Sequence, residues 1–370
     1  MEKKKLAFVN NSAKMMYNFR LSVMKNFVAQ GYDVTVVAVE DFDIALLKEN
    51  NIKFVPIEVD SHGTNVFNDF GLFTQLKRIY KQQKFDFIFH YTIKTVIFGE
   101  MAARRAHIPS ISIITGLGQV FISDTYVTHI VEMLYRYSLK HATEVWFLND
   151  DDRQLFLRRR LASIEKIKIL PGEGVNTGLF IPQKKEGKDF SFLYLGRLLV
   201  EKGVGDYAEA ARIIHRSYPK VRFCLLGAFD SVSEITPHLV EIWEKEGVTQ
   251  YLGETTNVIP FIKEADCIVL PSAYREGVPR SLMEAAAMEK PIIATDNIGC
   301  RDIVKDGKNG YLCNVRDVKS LVQAMKKMIG LSSEKRQAMG KEGRKLVLEK
   351  FEDSIIIDIY NKTLKKYLGV

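Results

Sequence analysis

The fold is decided around residues 270–287, which run Leu270-Pro-Ser-Ala-Tyr-Arg-Glu276-Gly-Val-Pro-Arg-Ser281-Leu-Met-Glu284-Ala-Ala-Ala. The apolar run that ends at Leu270 predicts a strand, and the alanine-rich run that begins at Ser281 predicts a helix. Ser281 and Glu284 have the spacing of a capping box, which is a common structural way to start a helix. The same helix start also offers backbone N–H groups and the positive end of the helix dipole, which suit a phosphate.

A second stretch has the same order of strand, loop and helix. It runs Gly196-Arg197-Leu-Leu-Val-Glu-Lys202-Gly203 and follows the apolar run 192–195. Two fixed cations in such a loop suit a diphosphate and stabilise the charge that develops when it departs. A solvated charged loop is the alternative, but the flanking glycines and the preceding strand favour a ligand site. The carboxylates of Glu276 and Glu284 suit hydrogen bonds from sugar hydroxyls.

Short apolar runs alternate with helical patterns along the whole chain. This alternation predicts parallel sheets covered by helices on both faces, and therefore an α/β fold with two Rossmann-like doubly wound domains facing a cleft. The predicted strands are Leu6–Val9, Val34–Val39, Phe54–Val59, Phe87–His90, Ile111–Ile114 and Val145–Leu148 in the first half, and Phe192–Leu195, Val221–Leu226, Cys267–Leu270 and Ile292–Ala294 in the second.

The domain break is predicted in the charged stretch PQKKEGKD at 182–189, because linkers are polar and contain Gly and Pro. The first domain then comprises residues 1–182 and the second comprises residues 189–350. A helical pattern at 351–370 ends the chain. At 370 residues, two domains are expected, since single cores rarely grow beyond about 250–300 residues.

Composition narrows the class of protein. The net charge of +8 favours anionic partners, such as nucleotide phosphates, an anionic membrane surface or nucleic acid. The four cysteines form no CxxC pair, which is typical of buried thiols in a reducing cytoplasm. The apolar run at the N-terminus is too short for a signal peptide. No run along the sequence reaches the roughly 18 apolar residues of a membrane-spanning helix. We therefore expect a cytoplasmic protein.

Two motifs of other classes are weak. Gly203-Val-Gly205-Asp-Tyr-Ala208 matches a dinucleotide fingerprint, but it does not begin at a strand end. The aspartates 150–152 formally contain a metal-binding DxD, yet they are better explained as an acidic helix start. The sequence contains no P-loop and no His/Cys cluster with metal-ligand spacing. We therefore expect no metal and no cofactor.

Polar and glycine residues also follow predicted strands of the first half. Ligands bind at the carboxyl ends of parallel strands, so these positions are candidates for an acceptor site, although tight turns and a structural histidine explain them equally well. They are Asn11, Ser12, His90, Lys94, Thr115, Gly116 and Gly118.

The first half also contains three basic runs near aromatic residues. They lie at 77–84, 104–105 and 158–160. Most charge runs are solvated faces, but these also suit anionic lipid headgroups. Nucleic acid is the weaker alternative, because no recognition module is visible.

In combination these motifs resemble family 4 of the retaining glycosyltransferases with the GT-B fold. The resemblance spans nearly the whole chain and rests on Gly196-Arg197…Glu201-Lys202-Gly203 and on Pro271-Ser…Glu276-x7-Glu284. Within the family the sequence is similar to bacterial enzymes that extend undecaprenyl-diphosphate-linked oligosaccharides, including N-acetylgalactosaminyltransferases. That narrower similarity rests on Gly116-Leu-Gly118, Leu134-Tyr135, His141-Ala142, Asn149 and Gly174-Val-Asn176.

The resemblance implies a role for each donor-site residue. Arg197 and Lys202 bind the donor diphosphate, Glu276 contacts the donor sugar, and Glu284 accepts hydrogen bonds from the ribose. The remaining donor-binding positions are Gly196, Gly227, Gly277, Val278, Pro279, Arg280, Ser281 and Leu282.

The resemblance further implies a UDP-sugar donor, a polyprenyl-diphosphate-linked acceptor at the first domain, and no metal. It also implies that the last helix crosses back to the first domain. The chain departs from the family at Asn10-Asn-Ser, where many members have Gly-Gly, and at Thr115-Gly116, where many have a histidine. His90 is the candidate substitute for that histidine.

Two other functions remain open at this point. A UDP-sugar epimerase of the same architecture converts the donor without an acceptor, and a non-catalytic subunit of a polysaccharide assembly complex binds it without transfer. The E-x7-E spacing and the intact Arg197 and Lys202 favour a transferase that resides on the inner face of the cell membrane.

Overall fold

The computed structural model describes residues 3–59, 70–117, 121, 125–230 and 233–369. Gly118, one of the predicted acceptor-side residues, lies outside them. The chain forms two compact units. Unit 1 comprises Met1–Glu173 and Asp353–Val370, and unit 2 comprises Gly174–Glu352.

Unit 1 is built on a seven-stranded parallel sheet with the order β3-β2-β1-β4-β5-β6-β7. Its central strands are buried on both faces, as expected for a parallel sheet between two helical layers. The strands are β1 Lys5–Val9, β2 Asp33–Ala38, β3 Lys53–Pro56, β4 Phe87–Tyr91, β5 Ser110–Ile114, β6 Glu144–Phe147 and β7 Ile167–Ile169. The helices between them are α1 Ala13–Ala29, α2 Ala45–Glu49, α3 Phe70–Gln83, α4 Ile93–Ala106, α5 Tyr126–Ser138 and α6 Asp150–Arg158.

Unit 2 is built on a six-stranded parallel sheet with the order β10-β9-β8-β11-β12-β13. Its strands are β8 Ser191–Leu195, β9 Arg222–Leu226, β10 Gln250–Tyr251, β11 Cys267–Leu270, β12 Ile292–Thr295 and β13 Gly310–Cys313. Its helices are α7 Val204–His215, α8 Pro237–Lys245, α9 Ile259–Glu264, α10 Arg280–Ala287, α11 Cys300–Ile303, α12 Val318–Ile329 and α13 Ser333–Lys350. The two sheets with their helices confirm the predicted pair of doubly wound α/β domains.

The apolar residues of unit 1 form two clusters, one on each face of the sheet. One cluster takes its helical residues from α3, α4, α5 and α6. The other takes them from α1, from α2 and from the last helix, α14 Asp353–Leu368. The phenol groups of Tyr91 in β4 and Tyr360 in α14 are hydrogen-bonded at 2.8 Å inside this second cluster. The last helix is therefore an integral part of unit 1.

The charged stretch at 182–189 lies within unit 2 and not at a boundary between the units. The backbone N–H of Gly187 donates to Glu264 at 3.1 Å, and Lys185 forms an ion pair with Asp266. These contacts hold the stretch against the amino end of β11. Polar composition predicts an exposed segment, and it does not distinguish a linker from a loop that is pinned by ion pairs.

Candidate functional site

The site in unit 2 lies where the direction of strand addition reverses. From β8 the chain continues to β9 and β10 on one side, and it returns to β11 on the other side. The loops that follow β8 and β11 therefore diverge and leave a crevice at the carboxyl ends of these strands, which is the usual ligand site of such sheets. The two predicted motifs, 196–203 and 271–284, occupy these two loops.

Backbone contacts hold the two loops together. The carbonyl of Glu201 accepts hydrogen bonds from the N–H groups of Ala273 and Tyr274, at 2.8 and 2.9 Å. Gly203 has φ +74°, and a Cβ atom there would lie 2.0 Å from the carbonyl oxygen of Pro271. Only glycine fits this combination of left-handed backbone and close approach. Gly203 therefore allows Lys202 to lie beside the second loop.

A second close approach, between Gly227 and Gly196, supports the loop that contains Arg197. Gly227 follows β9 with φ +156°, and a Cβ atom there would lie 1.9 Å from the carbonyl oxygen of Gly196. The N–H of Gly196 donates to Leu226 at 3.1 Å. The end of β9 thus packs against the first loop, and the predicted residues Gly196 and Gly227 are in direct backbone contact.

Lys202 and Glu276 form an ion pair at the centre of the crevice. Lys202 Nζ lies 2.5 Å from Glu276 Oε1, and the buried hydroxyl of Ser272 donates to the same oxygen at 3.0 Å. The ammonium also lies 5.4 Å from the ring centroid of Tyr274. The Glu276 side chain is only 10% exposed, so its orientation is fixed by these contacts rather than by solvent.

Arg197 lies at the more open side of the crevice. Its side chain is 53% exposed and forms a 2.9 Å ion pair with Asp230. Burial raises the pKa of the Tyr274 phenol, the charge of Glu276 raises it further, and the charge of Arg197 lowers it. One aromatic side chain therefore lies within electrostatic range of both Arg197 and Glu276, while it also contacts Lys202.

The N-cap of helix α10 lies two residues before Ser281, so the predicted capping box does not form. Pro279 is the N-cap, with no side-chain capping hydrogen bond, and Arg280 is the first helical residue. Ser281 lies inside the first turn and does not cap the helix. Proline at this position fixes the backbone angle φ of the cap, which allows the helix to begin without a capping hydroxyl.

Glu284 lies in the second turn of α10, where it pairs with Arg280. Arg280 Nε donates to Glu284 Oε1 at 2.9 Å, the i,i+4 geometry of a helix. Burial raises the pKa of the Glu284 carboxyl, and the Arg280 guanidinium opposes this shift without cancelling it. Leu282 is fully buried and packs in the core of unit 2.

The loop between Glu276 and the helix is supported by residues that the sequence analysis did not identify. Gly299 has φ +79°, and a Cβ atom there would lie 2.4 Å from the carbonyl oxygen of Gly277. The Asn297 amide donates to the carbonyls of Ser272 and Tyr274, at 3.2 and 3.0 Å. Val278 and Pro279 are buried. In the sequence, Gly299 is only a glycine that follows a predicted strand. That pattern is too common to predict its close approach to Gly277.

No group of three or more His, Cys, Asp or Glu residues in the described part of the chain is arranged to hold a metal ion. The aspartates 150–152 form the first turn of α6, and the Asn149 side chain caps this helix by accepting from the Asp152 N–H at 2.8 Å. Asp152 is fully buried. All four cysteines are buried and free.

In unit 1 the strand order reverses between β1 and β4, and most of the predicted acceptor-side residues lie at this edge. Ser12 caps α1 and accepts from the Met15 N–H at 3.0 Å. Lys94 lies in the first turn of α4, whose N-cap Thr92 has a φ of +66° that is rare for a β-branched residue. Asn11, Thr115 and Gly116 are partly exposed in the loops after β1 and β5.

His90 is the exception, and its prediction as an acceptor-side residue is wrong. It lies inside unit 1 with no exposed surface, and both ring nitrogens are engaged. Nε2 lies 2.9 Å from the Tyr80 hydroxyl, and Nδ1 lies 2.9 Å from Glu100 Oε1. The side chain points into the sheet–helix interface because α4 has Gly99 opposite it, where a Cβ atom would lie 2.4 Å from the ring. Strand-end position did not reveal this direction.

Comparison with known proteins identifies the class. Residues 178–346 match the family described as glycosyl transferases group 1, and residues 5–149 match the family described as glycosyl transferase 4-like. Together these matches cover most of the chain. It belongs to the glycosyltransferases with the GT-B fold, and the resemblance inferred from the sequence is confirmed.

Two curated relatives are similar over 97% and 79% of their own lengths. The N,N'-diacetylbacillosaminyl-diphospho-undecaprenol alpha-1,3-N-acetylgalactosaminyltransferase of Campylobacter jejuni is 26% identical, and the match covers 97% of each chain. The UDP-Gal:alpha-D-GlcNAc-diphosphoundecaprenol alpha-1,3-galactosyltransferase of Escherichia coli is 23% identical over 80% of this chain and 79% of its own. The structure of sucrose-phosphate synthase from Thermosynechococcus elongatus superposes over the whole of both chains with a TM-score of 0.82 and 17% identity, a likeness of fold alone.

Proposed function

We propose that this glycosyltransferase moves a hexose or N-acetylhexosamine from a UDP-sugar to a polyprenyl-diphosphate-linked saccharide, during assembly of a bacterial surface glycan or glycoprotein glycan. The observation that carries the proposal is the convergence of Arg197, Lys202 and Glu276 at the reversal point of the unit 2 sheet. The names of two relatives support the acceptor class, and one of them names UDP-galactose as the donor.

In this proposal the donor diphosphate lies between the guanidinium of Arg197 and the ammonium of Lys202. Both cations are held by carboxylates, Asp230 and Glu276, within the crevice. An entering diphosphate offers each cation further anionic oxygens, and the first turn of α10 adds backbone N–H donors. Charge that develops on the departing diphosphate is thereby met by groups that are already oriented.

The two glutamates have different tasks. Glu276, held by Lys202 and Ser272, accepts hydrogen bonds from hydroxyls of the donor sugar. Glu284, one helical turn further from the loop, accepts hydrogen bonds from the ribose hydroxyls. This division keeps the sugar beside the cations and places the nucleoside along α10.

The finer mechanism is also part of the proposal. The acceptor hydroxyl attacks the anomeric carbon on the face that UDP leaves, through an oxocarbenium-like state, so the anomeric configuration is retained. The fixed cations take the place of a metal ion at the diphosphate. The acceptor lipid places the enzyme on the cytoplasmic face of the membrane. In the described part of the chain, no helix has the length and apolar character needed to cross a membrane.

The test supplies a carbon-labelled UDP-sugar and a polyprenyl-diphosphate-linked saccharide, with and without a chelator, and follows the sugar by NMR. The proposal expects acceptor-dependent release of UDP, an α-linked product from an α-linked donor, and the same rate with chelator. A new UDP-sugar epimer without acceptor would indicate an epimerase instead. Saturable UDP binding without transfer to any lipid-linked acceptor would indicate a binding subunit.

A further inference from the structure

The helices α3, α4 and α5 of unit 1 lie side by side on one face of the sheet. Helix α4 packs against both of the others, and their inward residues share one apolar cluster. The outward sides of these three helices form one surface, which we call the basic helical face. All three basic runs of the sequence lie on this face or at its border with α6.

The basic helical face has only one sign of exposed charge. The structure describes every residue of these three helices. Helix α3 contains no acidic residue, α4 contains only Glu100 and α5 contains only Glu132. Both are buried, and Glu132 is ion-paired with Arg159. The exposed cations of the three helices are Lys77, Arg78, Lys81, Arg104, Arg105 and Arg136.

Large apolar side chains project from the same face. Tyr126, Met133 and Tyr137 follow one another at helical spacing along α5 and are 79%, 58% and 50% exposed. Phe70 on α3 is 64% exposed. Such residues rarely lie together on a surface that faces only water. Aromatic tips above a layer of cations are typical of surfaces that rest in the headgroup region of a membrane.

The cations and the aromatic residues are coupled to each other. Arg104 lies 5.9 Å from the ring centroid of Tyr137 and donates to its hydroxyl at 3.3 Å. Arg136 donates to the carbonyls of Arg159 and Arg160, which directly follow α6. These contacts already restrict the side chains of the face, so little conformational freedom is lost when a partner binds.

We propose that the basic helical face is the surface by which unit 1 docks on an anionic lipid bilayer, with Tyr126, Met133 and Tyr137 inserted among the headgroups. This inference deepens the membrane location in the proposed function and rests on it. Nucleic acid also attracts cations, but it does not account for exposed Met133 beside the two tyrosines. Lipid accounts for both the charge and the apolar side chains.

The test measures flotation of the full chain with vesicles of phosphatidylcholine alone and with about one third phosphatidylglycerol. The expected result is binding only to the anionic vesicles and its loss at high salt, because exposed charges are screened. The variant K77Q/K81Q should bind about tenfold to thirtyfold more weakly, since each basic residue near an anionic surface contributes about fivefold to the affinity. M133S should also weaken binding.

Matched controls lie on α13 of unit 2. Lys341 and Lys345 are exposed at the same four-residue spacing as Lys77 and Lys81, and Leu348 is 47% exposed. K341Q/K345Q and L348S should bind vesicles like the unmodified protein. Equal loss in both pairs, unchanged binding in K77Q/K81Q, or tighter binding to a duplex oligonucleotide than to anionic vesicles would overturn the proposal. Calorimetric binding of a UDP-sugar without lipid separates this failure from failure of the donor site.

Discussion

Lys202 Nζ and Glu276 Oε1 lie 2.5 Å apart although the residues are 74 positions apart in the sequence. Their pairing depends on Gly203, which brings the Lys202 loop against Pro271, and on Ser272, which fixes Glu276 from the other side. The pair gives the crevice a cation and a carboxylate in known positions. If the proposed donor binds here, we expect its site to be largely formed beforehand, because both side chains are already held by these contacts.

Replacing Gly203 should damage the donor site, whereas replacing Gly205 should not. In Gly203→Ala the Cβ atom meets the Pro271 carbonyl, and φ +74° disfavours alanine. We expect a loss of at least about 2 kcal/mol in the free energy of unfolding and a large loss of UDP-sugar affinity. Chemical denaturation and calorimetry measure the two quantities.

Gly205→Ala is the matched control two residues later. It lies in α7 with no heavy atom within 4 Å of the added Cβ atom. Alanine at an open helical position is favoured over glycine, so stability should be unchanged or higher by up to about 1 kcal/mol. Equal effects of the two substitutions would show that the close approach at Pro271 is not what positions Lys202.

Donor affinity should fall in acid because of Glu284. Burial raises the pKa of this carboxyl above its ordinary value of 4.5, so protonation begins at a higher pH than for an exposed glutamate. The protonated group is a poorer acceptor for ribose hydroxyls. UDP-glucose affinity, measured by calorimetry, should therefore decrease as the pH falls towards and through this raised pKa.

Glu284→Gln separates this effect from general acid sensitivity. The amide should bind UDP-glucose about tenfold to a hundredfold more weakly at neutral pH, since hydrogen bonds to a charged acceptor contribute about 1.5–3 kcal/mol. Its affinity should lose the acid dependence. For stability the sign is reversed: a raised pKa means that the charged form costs free energy in the folded state, and this cost disappears as the pH falls. An unchanged acid dependence in the variant would assign the effect to another group.

His90 should matter for the stability of unit 1 and not for donor binding. Gly99→Ala places a Cβ atom 2.4 Å from the His90 ring and should lower the free energy of unfolding by more than about 2 kcal/mol. Gly71→Ala, at an open position of α3, is the control and should be neutral or stabilising. UDP-sugar affinity of folded protein should be the same in both. A loss of UDP-sugar affinity in Gly99→Ala, but not in Gly71→Ala, would indicate that His90 contributes to ligand binding.

The sequence predicted the fold class and most strands because a buried parallel strand is a continuous apolar run. The strands that it missed are β7, β10 and β13, which are all at sheet edges. Strand β10 has two residues, β7 is largely exposed, and β13 begins with a glycine. Edge strands bury less surface, so their composition is not distinctive.

The sequence identified more of the residues that converge in the unit 2 crevice than of those at the edge between β1 and β4 in unit 1. The motifs at 196–203 and 276–284 combine cations, glycines and carboxylates, and this combination is more specific than any one of these residue types. Each motif also follows a strand. Asp230, Ser272, Asn297 and Gly299 were missed because their roles consist of contacts between loops that are distant in sequence. His90 shows the opposite error, since strand-end position does not reveal which face of the sheet a side chain occupies.

The central claim is that Arg197 and Lys202 stabilise the departing diphosphate during sugar transfer. Turnover of UDP-sugar with a polyprenyl-diphosphate-linked acceptor should be measured for Arg197→Ala, for Lys202→Ala and for Arg216→Ala, an exposed control in the same unit. The first two should lower kcat by about 10²–10³, the size of a lost contact to developing charge, and the control should not. Near-normal turnover in both Arg197→Ala and Lys202→Ala would contradict the account.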